Sequence, residues 1–246
     1  MNPIGIIGGT GLTRLAQLAG QDSELVPTPY GAPSAALVRG VVGGRQVAFL
    51  ARHGSPHRIP PHRVNYRANL WALHAAGVRR IIAVAAVGGI TEGMDDGRVI
   101  IPDQVIDYTY GRAHTFFEED LEEVVHVDFT EPYTPALRRE LIAAARELGL
   151  DAAETGTYAA TQGPRLESAA EVDRLERDGC HIVGMTAMPE AALARELELE
   201  YASVAVVANR AAGRADGEIT MARIEATLVA GMERVGRLLE RVLPQL

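Results

Sequence analysis

Chemistry is concentrated first between positions 52 and 63, where "RHGSPHRIPPHR" carries Arg52, His53, His57, Arg58, His62 and Arg63. Three imidazoles suggest a metal site. Their spacing is not that of one helix face, the interleaved guanidinium groups repel a divalent cation, and no carboxylate or thiolate joins them. Guanidinium forks beside imidazoles suit an oxyanion, so the stretch is expected to hold an anion and no metal. The plainer alternative is a solvated basic loop. All 24 basic residues are arginine and none is lysine. That removes Schiff-base chemistry, pyridoxal-phosphate attachment and the P-loop lysine. An anion must therefore be held by arginine, backbone N–H, hydroxyl or histidine.

Three other stretches carry polar groups at the ends of apolar runs. "IGIIGGTGL" is a tight glycine turn in which Thr10 and backbone N–H groups can meet an anion. As a dinucleotide fingerprint it fails, because the third glycine is replaced by Arg14. "HIVGMTAMPEAALAR" places the Thr186 hydroxyl just after a strand and Pro189 in the first turn of a helix, a position for donating to an anion. Glu190 reads there as a first-turn acid matching the helix dipole. Met185 is either core or the floor of a sugar pocket. In "AVVANRAAG" a single amide, Asn209, closes an apolar run. It is either the first residue of a turn or a polar head that reads a ligand.

The elements that must position these groups alternate between strand and helix. Strands are expected at 4–7, on both sides of Gly43-Gly44 as a hairpin, at 79–89, near "ETGTYAAT", at 181–185 and at 201–208. Helices are expected at 65–77 with Asn65 as N-cap and Gly77 as stop, at 134–149, after Ser168, at "PEAALARELEL" and from about Glu218 to the end. No repeat, low-complexity tract or Pro/Ser-rich linker interrupts the 246 residues. One α/β domain spanning 1–246 with a largely buried, mixed central sheet is expected, its ligand loops following strands. Apolar residues at 47% suffice for such a core. A net charge of −8 argues against a nucleic-acid partner. A single cysteine, Cys180, with no leader or membrane-length apolar run points to a reducing cytoplasm.

"GIIGGTGL", "RHG" with "NYRANLWAL", "TQGPRLES" and "GMTAMPEAALARE" together resemble the trimeric purine nucleoside phosphorylases, in the branch that handles 5′-methylthio nucleosides. The resemblance runs from about residue 4 to 245. It implies a single α/β domain with a distorted mixed sheet, and cleavage of an N-glycosidic bond by phosphate as co-substrate, with no metal or organic cofactor. It puts Thr10, Arg52, His53 and Thr186 on phosphate, Met185 against the ribose, Ala86, Val87 and Gly88 beside the nucleoside, and Asn209, Arg210 and Ala211 at the purine. His126 resembles the residue that a neighbouring subunit of a homotrimer lends to the 5′ end of the pocket. The sequence departs from the family at Ala85, where a hydroxyl is usual, and at Leu166, where an aromatic packs on the base.

The adenine-selective members of the family resemble "TDYD" where this chain has "ANRA". An amide can donate to a 6-oxo group and accept from N7–H, whereas two carboxylates cannot donate. Met221 and its apolar neighbours stand where hydroxyl-selective relatives carry a histidine, and suit a methylthio group. The combination points to S-methyl-5′-thioinosine, with Asn209 stabilising charge on the leaving purine. Methylthioadenosine or inosine/guanosine phosphorolysis, a nicotinamide-dependent oxidoreductase and a purine-binding module remain alternatives. Arg52 is expected to serve phosphate while contributing little to the core.

Overall fold

Apolar strands and amphipathic helices assemble into one mixed sheet covered on both faces in the computed structural model, which describes residues 2–9, 22–119, 121–215, 217 and 219–246. The strands are β1 (Ile4–Gly8), β2 (Asp22–Glu24), β3 (Leu37–Val42), β4 (Arg45–Ala51), β5 (Arg80–Gly89), β6 (Val99–Ile100), β7 (Gln104–Asp107), β8 (Ala152–Ala153), β9 (Thr157–Ala160), β10 (Ile182–Gly184) and β11 (Glu200–Arg210). The helices are α1 (Tyr66–Ala75), α2 (Pro135–Glu147), α3 (Ala169–Arg177), α4 (Ala187–Glu196) and α5 (Met221–Val242). Local chemistry accounts for several boundaries. Gly43 and Gly44 both take positive φ, as a two-residue hairpin between β3 and β4 requires. Asn65 caps α1 through the Ala68 amide, and Ser168 with Glu171 forms a reciprocal capping box on α3.

The sheet runs β2-β3-β4-β1-β5-β10-β9-β7, with β11 pairing β5 and β6, and β6 pairing β8. β5 is the spine. It lies parallel to β1 and β11 but antiparallel to β10 at Gly88 and Gly89, which distorts the sheet. Its side chains alternate between two cores, as a strand buried on both faces must. Ile81, Ala83, Ala85 and Val87 pack with α1 and α4, whereas Ile82 and Val84 pack with α2 and α5. The short strands β2, β6, β7 and β8 have no counterpart in the sequence reading, because two to four residues carry too little periodicity to read. Among the described residues no helix is long and apolar enough to cross a membrane.

Two sequence expectations change here. β11 continues through Asn209 and Arg210, so Asn209 is a strand residue and not the start of a turn. The strand is bulged: Val207 pairs Val87 but Asn209 pairs Gly88, which leaves Ala208 as the extra residue. A bulge re-aims the side chains beyond it. At α4, the first turn is interrupted at Met188, whose backbone is extended (φ −118°, ψ 140°), so Pro189 follows a kink instead of opening a regular turn.

Candidate active site

Because β4, β1, β5 and β11 are parallel, their carboxyl ends lie together, and the loops leaving them line a cleft of about 300 Å³. β4 supplies Arg52, His53 and His57; β1 supplies Gly9; β5 supplies Ala85, Ala86, Val87 and Gly88. β10 leads into Met185 and Thr186, and β11 brings Asn209 and Ala211. In strand order the Arg52 guanidinium and the two imidazoles therefore sit on the β4–β1 side and the amide on the β11 side. The 164–167 loop and the start of α5 complete the walls with Leu166, Glu167, Ile219, Met221 and Ile224. A larger cavity, of about 490 Å³, lies elsewhere, between the Gly93–Arg98 loop, the α2–β8 turn and α5. Its acids already pair: Asp95 with Arg210, Asp96 with Arg223, Asp151 with Arg98. The strand-end cleft is the one that gathers unspent chemistry.

Arg52 is buried, and its Nε and one terminal nitrogen grip the Glu190 carboxylate at 2.7 and 2.8 Å. The other terminal nitrogen donates to the Val84 carbonyl at 2.9 Å. Glu190 also accepts from the Tyr201 hydroxyl at 2.7 Å. Glu190 is thus no dipole-matching acid; it is the fully buried counter-ion of Arg52, and Arg52 is part of the core. Burial opposes the charge on Arg52, but the adjacent carboxylate more than offsets it and holds the guanidinium pKa above its usual value. Among the described residues, three of its five N–H donors are committed, which leaves two for the cleft.

His53 is half-buried at the same end. Burial, then the Arg52 charge, push its pKa down to about 4, so the ring is neutral at neutral pH. Its Nδ1 lies 2.8 Å from the Ile59 carbonyl. A carbonyl can only accept, so Nδ1 carries the proton and Nε2 is left as an acceptor. His57 stacks on His53 with ring centroids 4.5 Å apart. Arg58, His62 and Arg63 do not line the cleft. Among the described residues no three His, Cys, Asp or Glu side chains gather as a metal site.

On the β11 side, the Asn209 Nδ2 donates to the Arg210 carbonyl at 2.7 Å. Since that carbonyl can only accept, the amide is oriented, and among the described residues one N–H and the oxygen have no other partner. Arg210 itself does not line the cleft. Its guanidinium turns to the 91–95 loop, donating to the Thr91 and Met94 carbonyls, so its expected place at the purine is corrected. Gly88 is where Asn209 pairs, and a Cβ there would press on Val183 and Ala211. Ala85, Ala86, Val87, Met185, Thr186, Leu166, Met221 and Ala211 all line the cleft. Thr10 lies outside the described residues. His126 is exposed in the 121–130 segment and is not in its own chain's cleft.

Two residues escaped the sequence reading. Glu167 lines the cleft half-buried, with the Thr161 hydroxyl donating to one carboxylate oxygen at 2.6 Å. A signal was available: the capping box of α3 uses Ser168 and Glu171, so Glu167 is not needed at the helix start. Arg112 is buried behind the walls and donates to the carbonyls of Met185 (2.9 Å), Met188 (2.6 Å) and Gln162 (2.9 Å), tying two wall segments together. Nothing in the sequence around Arg112 signals that role, because its partners are backbone atoms more than forty residues away.

The phosphorylase superfamily model matches residues 3–244. The probable S-methyl-5′-thioinosine phosphorylase of Pseudomonas syringae pv. tomato is 58% identical over 243 residues, covering 99% of each chain. The 6-oxopurine nucleoside phosphorylase of Pyrococcus furiosus is 47% identical over 249 residues, covering 99% of this chain and 93% of its own. Among solved structures, the methylthioadenosine phosphorylase of Schistosoma mansoni in complex with adenine superposes with a TM-score of 0.94 at 32% identity, over 100% of this chain and 92% of that one.

Proposed function

Because the chain belongs to the phosphorylase superfamily, we propose that it cleaves S-methyl-5′-thioinosine with inorganic phosphate, giving hypoxanthine and 5-(methylthio)ribose 1-phosphate. The observation that carries this reading is the pairing of Asn209 with Glu167 in one cleft with Arg52, His53 and Thr186. A 6-oxopurine presents an acceptor at O6 and donors at N1 and, as the base departs, at N7. Asn209 has one N–H for O6 and an oxygen for N7–H; Glu167 has a carboxylate oxygen for N1–H. Adenine reverses both six-membered-ring edges, an acceptor at N1 and a donor at C6, and meets a carboxylate and an amide of the wrong sense. Each mismatch strands a buried polar group at about 1–3 kcal/mol, which makes such discrimination steep.

Phosphate is held by the two uncommitted Arg52 donors and the Thr186 hydroxyl, and Thr10 belongs to the same set. Neutral His53 offers only an acceptor at Nε2, so it receives a hydrogen bond from a protonated phosphate oxygen. Glu190 cancels the charge of Arg52, so directed N–H groups recognise the anion more than net charge does. A phosphate oxygen attacks C1′ as the bond to N9 breaks, the bonding pair leaves on the purine, and the proton phosphate gives up on forming its ester balances, through solvent, the one the base takes up at N7. Asn209 hydrogen bonds strengthen as that charge builds. Met185 supports the ribose, and Met221, Ile219 and Ile224 accept the methylthio group. Phosphate is the only small molecule needed besides the nucleoside. The enzyme works in the cytoplasm as a homotrimer in which His126 reaches the 5′ end of a neighbour's cleft. Methylthioadenosine is the second reading, favoured by the Schistosoma structure but opposed by Asn209 and Ala211.

The deciding experiment is phosphorolysis of methylthioinosine, methylthioadenosine and inosine side by side, with and without phosphate. Methylthioinosine should have the highest kcat/KM. Equal constants, or preference for the 6-amino base, would reject the assignment of Asn209 and Glu167. Sedimentation of the active species tests the trimer: a fully active monomer removes any role for His126.

A further inference from the structure

A buried phenol lies directly behind the phosphate side of the cleft without a partner. Tyr158, in β9, is fully buried, and among the described residues its Oη has no hydrogen-bond partner. Buried hydroxyls are rarely left so, because losing water without replacement is costly. The oxygen sits under the cleft-lining residue Gly184: a Cβ built on that glycine would fall 2.1 Å from Tyr158 Oη. Only glycine permits this approach. Two residues on, Thr186 lies beside the phenol with both its hydroxyl and its backbone, contacts that favour the phenolate form but are outweighed by burial. The Thr186 hydroxyl is not spent on capping α4 either. Burial lifts the Tyr158 pKa above the ordinary phenol value, so the group keeps its proton and remains a donor.

We propose that Tyr158 is a positioning residue for phosphate: when the Thr186 hydroxyl turns its proton to the anion, Tyr158 Oη–H donates to Thr186 Oγ1 and fixes its direction. This rests on Thr186 binding phosphate. A hydroxyl that receives one hydrogen bond donates a stronger one.

The test is Tyr158→Phe, with inorganic phosphate alone as the ligand. In the absence of phosphate the variant should melt at or above the wild-type temperature, since it loses an unpaired hydroxyl. Phosphate should stabilise it less, with Kd and KM for phosphate raised about 3- to 10-fold, the value of one neutral hydrogen bond. KM for the nucleoside should stay the same. In a Thr186→Val background, Tyr158→Phe should add nothing further. A variant that loses stability without phosphate but binds it as wild type does would show the phenol to be purely structural and overturn the proposal. If phosphate stabilises the wild type and Thr186→Val equally, Thr186 is not a phosphate ligand and the underlying reading fails with it.

Discussion

Arg52→Ala should unfold much of the molecule's margin of stability as well as abolish phosphate binding. The pair it breaks is almost wholly excluded from water, with Arg52 at 1% exposure and Glu190 at 0%. Two charge-assisted bonds of 2.7 and 2.8 Å would vanish, together with the bond to the Val84 carbonyl. Among the described residues Glu190 would keep only the Tyr201 hydroxyl, and it would be left as a buried carboxylate without its cation. Removing one partner of a buried ion pair costs about 3–5 kcal/mol. A domain of ordinary stability has about 5–15 kcal/mol to lose. Urea unfolding at pH 7 should therefore shift strongly, and the double variant Arg52→Met/Glu190→Leu, which strands no charge, should recover most of the loss without recovering phosphate binding. Arg52→Lys keeps the charge but not the fork, and should also lose stability and phosphate affinity. If Arg52→Ala unfolds within about 1 kcal/mol of wild type, the carboxylate has found another partner or water and the account of the pair is wrong.

Asn209→Asp replaces the Nδ2 donor with an oxygen facing the Arg210 carbonyl; kcat/KM for methylthioinosine should fall about 10- to 100-fold, with kcat falling more than KM rises. That variant should not become an efficient methylthioadenosine enzyme, because Ala211 still offers no second acceptor; steady-state kinetics on both nucleosides decide it. Glu167→Ala should cut kcat/KM for methylthioinosine by a similar factor and that for methylthioadenosine by less, a differential that loss of packing alone would not produce. His53 has a folded pKa of about 4 against an ordinary value of 6.5, so the unfolded chain takes up the proton first as pH falls. Its contribution to stability is complete above pH 6.5 and is lost toward pH 4, and a His53→Gln variant in phosphate-free buffer should lose stability less steeply over that window.

Much of the fold was written in local chemistry. Gly43-Gly44, Asn65 and Ser168 announced a turn and two caps because those functions need only neighbouring atoms. Apolar runs such as 79–89 and 201–208 declared buried strands, since a strand covered on both faces must be apolar throughout. The family resemblance then marked Arg52, His53, Thr186 and Asn209; the ends of the parallel strands β4 and β11 bring Arg52, His53 and Asn209 to the cleft, and the antiparallel β10 delivers Thr186 to it. What depended on distant partners could not be read. Glu190 reads as a first-turn acid until β4 delivers a guanidinium from 138 residues away. Arg210 neighbours Asn209 in sequence, yet its reach to the 91–95 loop takes it out of the cleft. The bulge at Ala208 arises from pairing against β5, and a strand's own residues do not encode its partner's register. Tyr158 is an ordinary strand tyrosine until Gly184 and Thr186 are laid over it. Sequence fixes residue type and local geometry; only the packed chain decides which charges are spent on each other and which are left for a ligand.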